Sequence, residues 1–220
     1  MKTIYFVRHG ESEVNLRNYT HGDHKSPLTA KGREQAILIA ERCAKLPVDI
    51  IISSTMQRAQ ETARTISDRI GVQIESSDLF HERKTPTILD TNERYRSPLR
   101  QMRDAGLASF YTESAERVED GENFSDIMTR AGEALAYLET RPENNILVVA
   151  HGFILRTILS HVLFGKMISP EEFRKFILSV RVENAGISVL HFDPEGTETY
   201  DNMSVMGWFM RVWNDHAHLG

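Results

Sequence analysis

The chain has 220 residues, 40% hydrophobic and 26% charged, with a formal net charge of −5. Such a composition describes an ordinary globular protein, long enough for a single α/β domain with an excursion and short for two separate cores. The acidic balance argues against a nucleic-acid partner, the lone Cys43 excludes an internal disulfide, and no apolar run approaches the roughly 20 residues that span a bilayer. The apolar stretch after Lys2 stops at Arg8, too soon for a secretion signal, so a cytoplasmic protein with neither membrane nor nucleic acid as partner is expected.

Residues 4–7 form an apolar run rich in aromatic and β-branched side chains, which fits a central parallel strand covered on both faces. It runs straight into Arg8, His9, Gly10 and Glu11. Residues 12–28 are polar and aperiodic, the pattern of a loop over the strand end, where function concentrates. Thr29 is placed to cap a helix to about residue 46 with Ala36, Ile39, Ala40 and Cys43 on its apolar face, which makes Cys43 a buried structural thiol. A second strand follows at 48–52. Ser54 with Gln57 three residues later is a capping-box pattern, and Met56, Ala59, Ala63, Ile66 and Ile70 continue a helical stripe. The amino end of that helix favours an anion, and Arg58 lies in its first turns.

Residues 72–74 read as a short strand. From 84 to 119 periodicity is poor and charge dense, the mark of a lid-like excursion from the sheet. Within it Ser97 and Pro98 open a short helix over about 99–108, and Arg94, Arg96, Arg100 and Arg103 form the densest positive patch of the chain. Phe124, Ile127, Met128, Ala131, Leu135 and Leu138 define another amphipathic helix. Residues 146–150 repeat the apolar strand and end, like the first, in His-Gly at His151 and Gly152. An apolar helix over about 154–163, a short one from Pro170 to about residue 177, and strands at 187–192 and 208–213 joined by a polar loop complete the chain.

Strands followed by helices imply a mostly parallel sheet, and three strand ends then offer Arg8 with His9, Arg58, and His151 to one crevice. A single histidine after a strand is usually a hydrogen-bonded structural residue. Two in matching His-Gly contexts, with two arginines and a helix amino end, make a pocket for a dianion such as a phosphoryl group.

Arg8-His9-Gly10-Glu11, with Asn15 and Leu28-Thr29-Ala30-Lys31-Gly32, resembles the signature of the histidine phosphatase superfamily, the phosphoglycerate-mutase-like proteins. Ser53-Ser54, Arg58-Ala59-Gln60-Glu61-Thr62-Ala63, Gly121-Glu122-Asn123, Val149-Ala150-His151-Gly152 and Asn184 are similar to its later blocks in the same order, so the likeness covers nearly the whole chain. The resemblance implies a three-layer α-β-α fold whose mostly parallel central sheet carries an antiparallel edge. It makes His9 the nucleophile that takes a phosphoryl group, has Arg8, Arg58, His151 and Gly152 bind the group with help from Asn15, and matches Glu82 to the general acid. A neutral imidazole flanked by cations suits the first role, and a carboxyl kept protonated by burial or by the substrate suits the last. No metal or cofactor is implied, since arginines supply the charge that a metal supplies elsewhere.

Around Glu82 the chain reads His81-Glu82-Arg83-Lys84-Thr85-Pro86, unlike the Asn-Glu-Arg-His-Tyr-Gly stretch of the mutase branch. This favours a phosphomonoester hydrolase acting on a small phosphorylated molecule, one with a second anionic group if the excursion arginines overhang the pocket. A phosphoglycerate-type mutase, a non-catalytic module that binds a phosphorylated ligand, and a metal hydrolase are the alternatives. Glu82 can also be read as a surface residue paired with Arg83 or Lys84, with His81 next in line as acid.

Overall fold

The computed structural model describes residues 1–16, 24–86, 110–111 and 117–220. Strands β1 (Lys2–Arg8), β2 (Ile50–Ser53), β3 (Ile74–Ser76), β4 (Asn145–Ala150), β5 (Ile187–Tyr200) and β6 (Met203–Asp215) form one sheet in the order β3-β2-β4-β1-β5-β6. Neighbours from β3 to β1 run parallel; β5 and β6 complete the sheet antiparallel. Helices α1 (Glu13–Leu16), α2 (Ala30–Cys43), α3 (Gln57–Ile70), α4 (Phe124–Thr140), α5 (Gly152–Phe164) and α6 (Pro170–Ser179) accompany them.

Period-two alternation sends successive side chains to opposite faces, and both faces are covered, hence the unbroken apolar runs. Ile4, Phe6, Ile52, Ile146 and Val148 join the core beneath α4, α5 and α6. Tyr5, Val7, Ile51, Leu147 and Val149 join a second core beneath α2 and α3, with Cys43 buried in it. Burial pushes the Cys43 thiol up to about 12, which leaves it un-ionised. This is the three-layer arrangement expected from the sequence. No helix among the described residues is long and apolar enough to cross a membrane.

Three local expectations are corrected. The polar segment between the last two strands is itself strand: β5 and β6 run on to a two-residue turn at Asp201 and Asn202, whose φ of 48° and 63° match the tight turn that suits twisted hairpins. The buried Asp193 carboxylate accepts from Thr197 Oγ1 (2.8 Å) and the amides of Glu198 (2.8 Å) and Glu195 (3.2 Å), absorbing a register shift that a regular ladder would leave unpaired. Ser54 does not form a capping box. The amino cap of α3 is Met56, without a side-chain hydrogen bond, since the helix begins only at Gln57; Ser54 Oγ accepts from the Met56 amide (3.3 Å) and also meets a histidine described below. Residues 12–28 are not wholly loop, since α1 starts within them and Ser12 bridges to Leu28. Most of the expected excursion, including Ser97, Pro98, Arg94, Arg96, Arg100 and Arg103, lies outside the described residues.

Candidate active site

β2, β4 and β1 are adjacent and parallel, so their carboxyl ends open on one crevice. His9 follows β1, His151 follows β4, and Arg58 enters from the first turn of α3 after β2. The main chain fastens these ends one to the next. The amide of His9 donates to Ala150 O (3.0 Å), and that of Ser54 to Val149 O (2.9 Å). Asn184 Nδ2 donates to His9 O (2.9 Å), and the Ala185 amide donates to Arg8 O (2.9 Å).

Gly10 and Gly32 are required by a close crossing of main chains. A Cβ on Gly10 would stand 2.3 Å from Gly32 O, and one on Gly32 would stand 1.8 Å from Glu11 O. The amino end of α2, capped as expected by Thr29 Oγ1 on the Gly32 amide (2.9 Å), thus presses directly on the loop after β1.

His9 is 2% exposed, and its hydrogen bonds fix its tautomer. Nδ1 lies 2.6 Å from Gly10 O, which can only accept, so Nδ1 carries the proton. Nε2 receives a hydrogen bond from Arg58 Nε (3.1 Å), which can only donate, so Nε2 carries the lone pair. The Gly10 amide donates to Thr62 Oγ1 (3.1 Å), which in turn donates to Arg58 O (2.8 Å), tying the loop that carries His9 to the helix.

The His151 ring stands 4.9 Å from that of His9, centroid to centroid, tilted by 59°. His151 is fully buried, with Nε2 2.8 Å from Ser54 Oγ and no hydrogen-bond partner for Nδ1 among the described residues. Burial first, and then Arg58, His9, His81 and Arg8, hold its pKa well below the usual histidine value, so the ring is neutral. Arg8 donates through Nη1 to Val182 O (2.5 Å), and its buried Nε likewise has no partner. Its guanidinium lies against Gly152, where an added Cβ would touch Nε at 3.4 Å. Desolvation lowers the Arg8 pKa, with Glu82 acting in the opposite direction.

Glu82 is 3% exposed and is not a surface ion-pair residue. Its carboxylate accepts from the amides of Phe153 (3.2 Å), Ile154 (3.3 Å) and Arg83 (3.0 Å), two of them at the amino end of α5 beside His151 and Gly152. The Arg83 guanidinium sits over the rings of Phe110 (4.6 Å) and Phe153 (4.9 Å). His81 turns its Nδ1 to Glu82 O, and burial together with Arg130 pushes its pKa down. Asn15 is set back: its Oδ1 accepts from the Ser12 amide (3.0 Å) and lies 3.5 Å from Asn184 Nδ2, so it reaches His9 through Asn184.

His9, Arg58 and His151 therefore meet at adjacent strand ends, with Arg8 against Gly152, Glu82 on the amides that follow Gly152, and Asn15 behind His9. Sequence reasoning did not single out Ser54 as the partner of His151, nor Thr62. The available signals were a serine directly at a strand end and a threonine one turn beyond Arg58 on the same helix face.

The model of the histidine phosphatase superfamily (branch 1) matches residues 4–201. A relative from Enterobacter sp. (strain 638), named "Probable phosphoglycerate mutase GpmB", is 30% identical over 228 residues, covering 100% of this chain and 95% of its own. Among solved structures, Bacillus stearothermophilus YhfR covers both chains fully at 24% identity with a TM-score of 0.80. Phosphoserine phosphatase from Entamoeba histolytica, solved with 3-phosphoglyceric acid, also covers both fully, at 21% identity with a TM-score of 0.76. The ordered motifs, the paired histidines at adjacent strand ends and the family match over most of the chain converge: this protein belongs to the histidine phosphatase superfamily.

Proposed function

We propose that the protein is a phosphomonoester hydrolase working through a phosphohistidine on His9, without a metal. The observation that carries this reading is the fixed tautomer of His9, whose lone pair on Nε2 is directed at a guanidinium. Buried Arg8 Nε and His151 Nδ1 support it further, as polar atoms that an incoming phosphoryl oxygen would satisfy. In the first step Nε2 attacks phosphorus, the bond to the leaving oxygen breaks, and Glu82 gives that oxygen its proton. In the second, Glu82 takes a proton from water as the water attacks, the P–N bond breaks, and its electron pair returns to Nε2. Arg8, Arg58 and His151 hold the phosphoryl oxygens throughout, Gly152 leaves room for Arg8, and Asn15 supports the His9 loop. The substrate is a small phosphorylated metabolite rather than nucleic acid.

The printed name of the Enterobacter relative favours a second reading, phosphoglycerate mutase. One assay separates them: a panel of alkyl phosphates, nitrophenyl phosphate and phosphoglycerates, in excess chelator, with and without vanadate. Vanadate-sensitive release of inorganic phosphate is expected. Interconversion of phosphoglycerates without release would establish the mutase, and binding without either reaction would leave a phospho-ligand module.

A further inference from the structure

Gly121, Glu122 and Asn123 match a family block but carry no chemistry in the mechanism above. Arg130 lies on the buried face of α4, between Ile127 and Ala134, and is only 8% exposed. Its Nε and Nη2 form a fork on the Glu122 carboxylate (2.7 and 2.8 Å). Its Nη1 donates to the carbonyls of Leu79 (3.0 Å) and His81 (2.8 Å). Glu122 Oε2 also accepts from the Lys84 amide (2.8 Å), and the Glu122 amide donates to Lys84 O (2.9 Å). Main-chain groups on both sides of Glu82 are thus held by one ion pair. Gly121 lets the partners close, since a Cβ there would stand 2.7 Å from the Pro86 ring. Asn123 and Asp126 form a capping box that fixes where α4, and with it Arg130, begins.

We propose that the Glu122–Arg130 pair is a positioning device that holds the Glu82 carboxylate against the amino end of α5, in the orientation from which it moves a proton. The inference rests on the reading of Glu82 as proton donor. Its physical basis is that forked, charge-assisted hydrogen bonds specify geometry, and that removing one partner leaves the other buried and uncompensated. Glu82 is the acceptor for the Phe153 and Ile154 amides at a helix end that lacks intrahelical acceptors for them. Their hydrogen exchange therefore reports the position of Glu82 independently of activity.

The test compares wild type, Arg130→Met, Arg130→Lys and Glu122→Gln by amide exchange and by kinetics. Arg130→Met is expected to speed exchange at Phe153 and Ile154 by roughly tenfold or more, while Leu155, bonded to His151 O, changes little. Its kcat/KM on alkyl phosphates should fall about tenfold or more with kcat/KM on nitrophenyl phosphate nearly unchanged, because that ratio reports only phosphoryl transfer to His9, in which a poor leaving group alone needs the proton. Arg130→Lys should recover part of both losses, and in a Glu82→Gln background Arg130→Met should cost alkyl phosphate turnover nothing further. Should Arg130→Met not fold, Glu122→Gln carries the same comparison. Unchanged exchange at Phe153 and Ile154, equal losses of kcat/KM on both substrates, or additivity with Glu82→Gln would overturn the proposal. A wild type that hydrolyses no phosphomonoester would instead overturn the hydrolase reading, with the exchange data still deciding the positioning role.

Discussion

At the scale of single residues, Arg58 has two competing tasks. Its Nε donates to the lone pair that attacks phosphorus in the proposed mechanism, so it holds His9 in place and also blocks it. An arriving phosphoryl group, with two or more anionic oxygens, outcompetes a neutral imidazole for a guanidinium and draws Arg58 off Nε2. On the proposed mechanism, removing Arg58 frees the lone pair but loses transition-state charge stabilisation, and the second effect is the larger. Arg58→Ala is therefore expected to lose roughly 10²–10³ in kcat/KM, measured on nitrophenyl phosphate so that proton delivery does not interfere. A loss below tenfold would show that the phosphoryl group is held by other residues. His9, Arg8, Arg58 and His151 were legible in the sequence because each directly ends a strand or opens a helix. Arg130 was harder to see, its signal being one charge on the apolar face of a helix.

At the scale of elements, the strand runs 4–7 and 146–150 were legible because burial on both faces leaves no polar position in them. The final hairpin was not. The strand is polar on both faces beyond Phe192, and its regularity comes from side-chain hydrogen bonds of Asp193 that hydrophobic periodicity cannot report. Ser54 was misassigned to a capping box for a related reason: its local pattern is that of a cap, but the helix starts only at Gln57, and its hydroxyl is shared between the Met56 amide and a residue 97 positions away. The crossing of α2 over the loop after β1 gives a test at this scale. Gly32→Ala forces the Glu11 carbonyl to move, and with it the chain that carries His9 and Gly10. The expected result is a stability loss of about 1–3 kcal/mol by urea unfolding together with a fall in kcat larger than any change in KM. Unchanged stability and turnover would show that the crossing is looser than the structure has it.

At the scale of the whole molecule, burial is the leading cause that lowers the pKa of five histidines: His81, His151, His161, His191 and His218. In the unfolded chain these imidazoles take up protons as pH falls through about 6.5, while in the folded protein they do so only at lower pH, so acid drives unfolding. Stability on this account is complete above the unfolded value and declines as pH drops below it. His151, fully buried, contributes up to about 1.4 kcal/mol per pH unit over the range in which it alone stays neutral. The urea midpoint should be level from pH 8 to 7 and fall between pH 6.5 and 5, before the carboxylates titrate. His151→Gln should flatten that slope. A midpoint that holds constant from pH 7 to 5 would contradict a neutral buried His151.

Covalent use of His9 is the central step of the proposed mechanism, and rapid mixing with a phosphate-labelled substrate followed by an acid-free quench tests it most directly. A phosphoryl label on His9 is expected, stable in alkali and labile in acid, formed and discharged at rates compatible with turnover, and absent with all hydrolysis from His9→Ala. Hydrolysis near the wild-type rate by His9→Ala, or turnover in wild type with no label on His9 under those conditions, would contradict it.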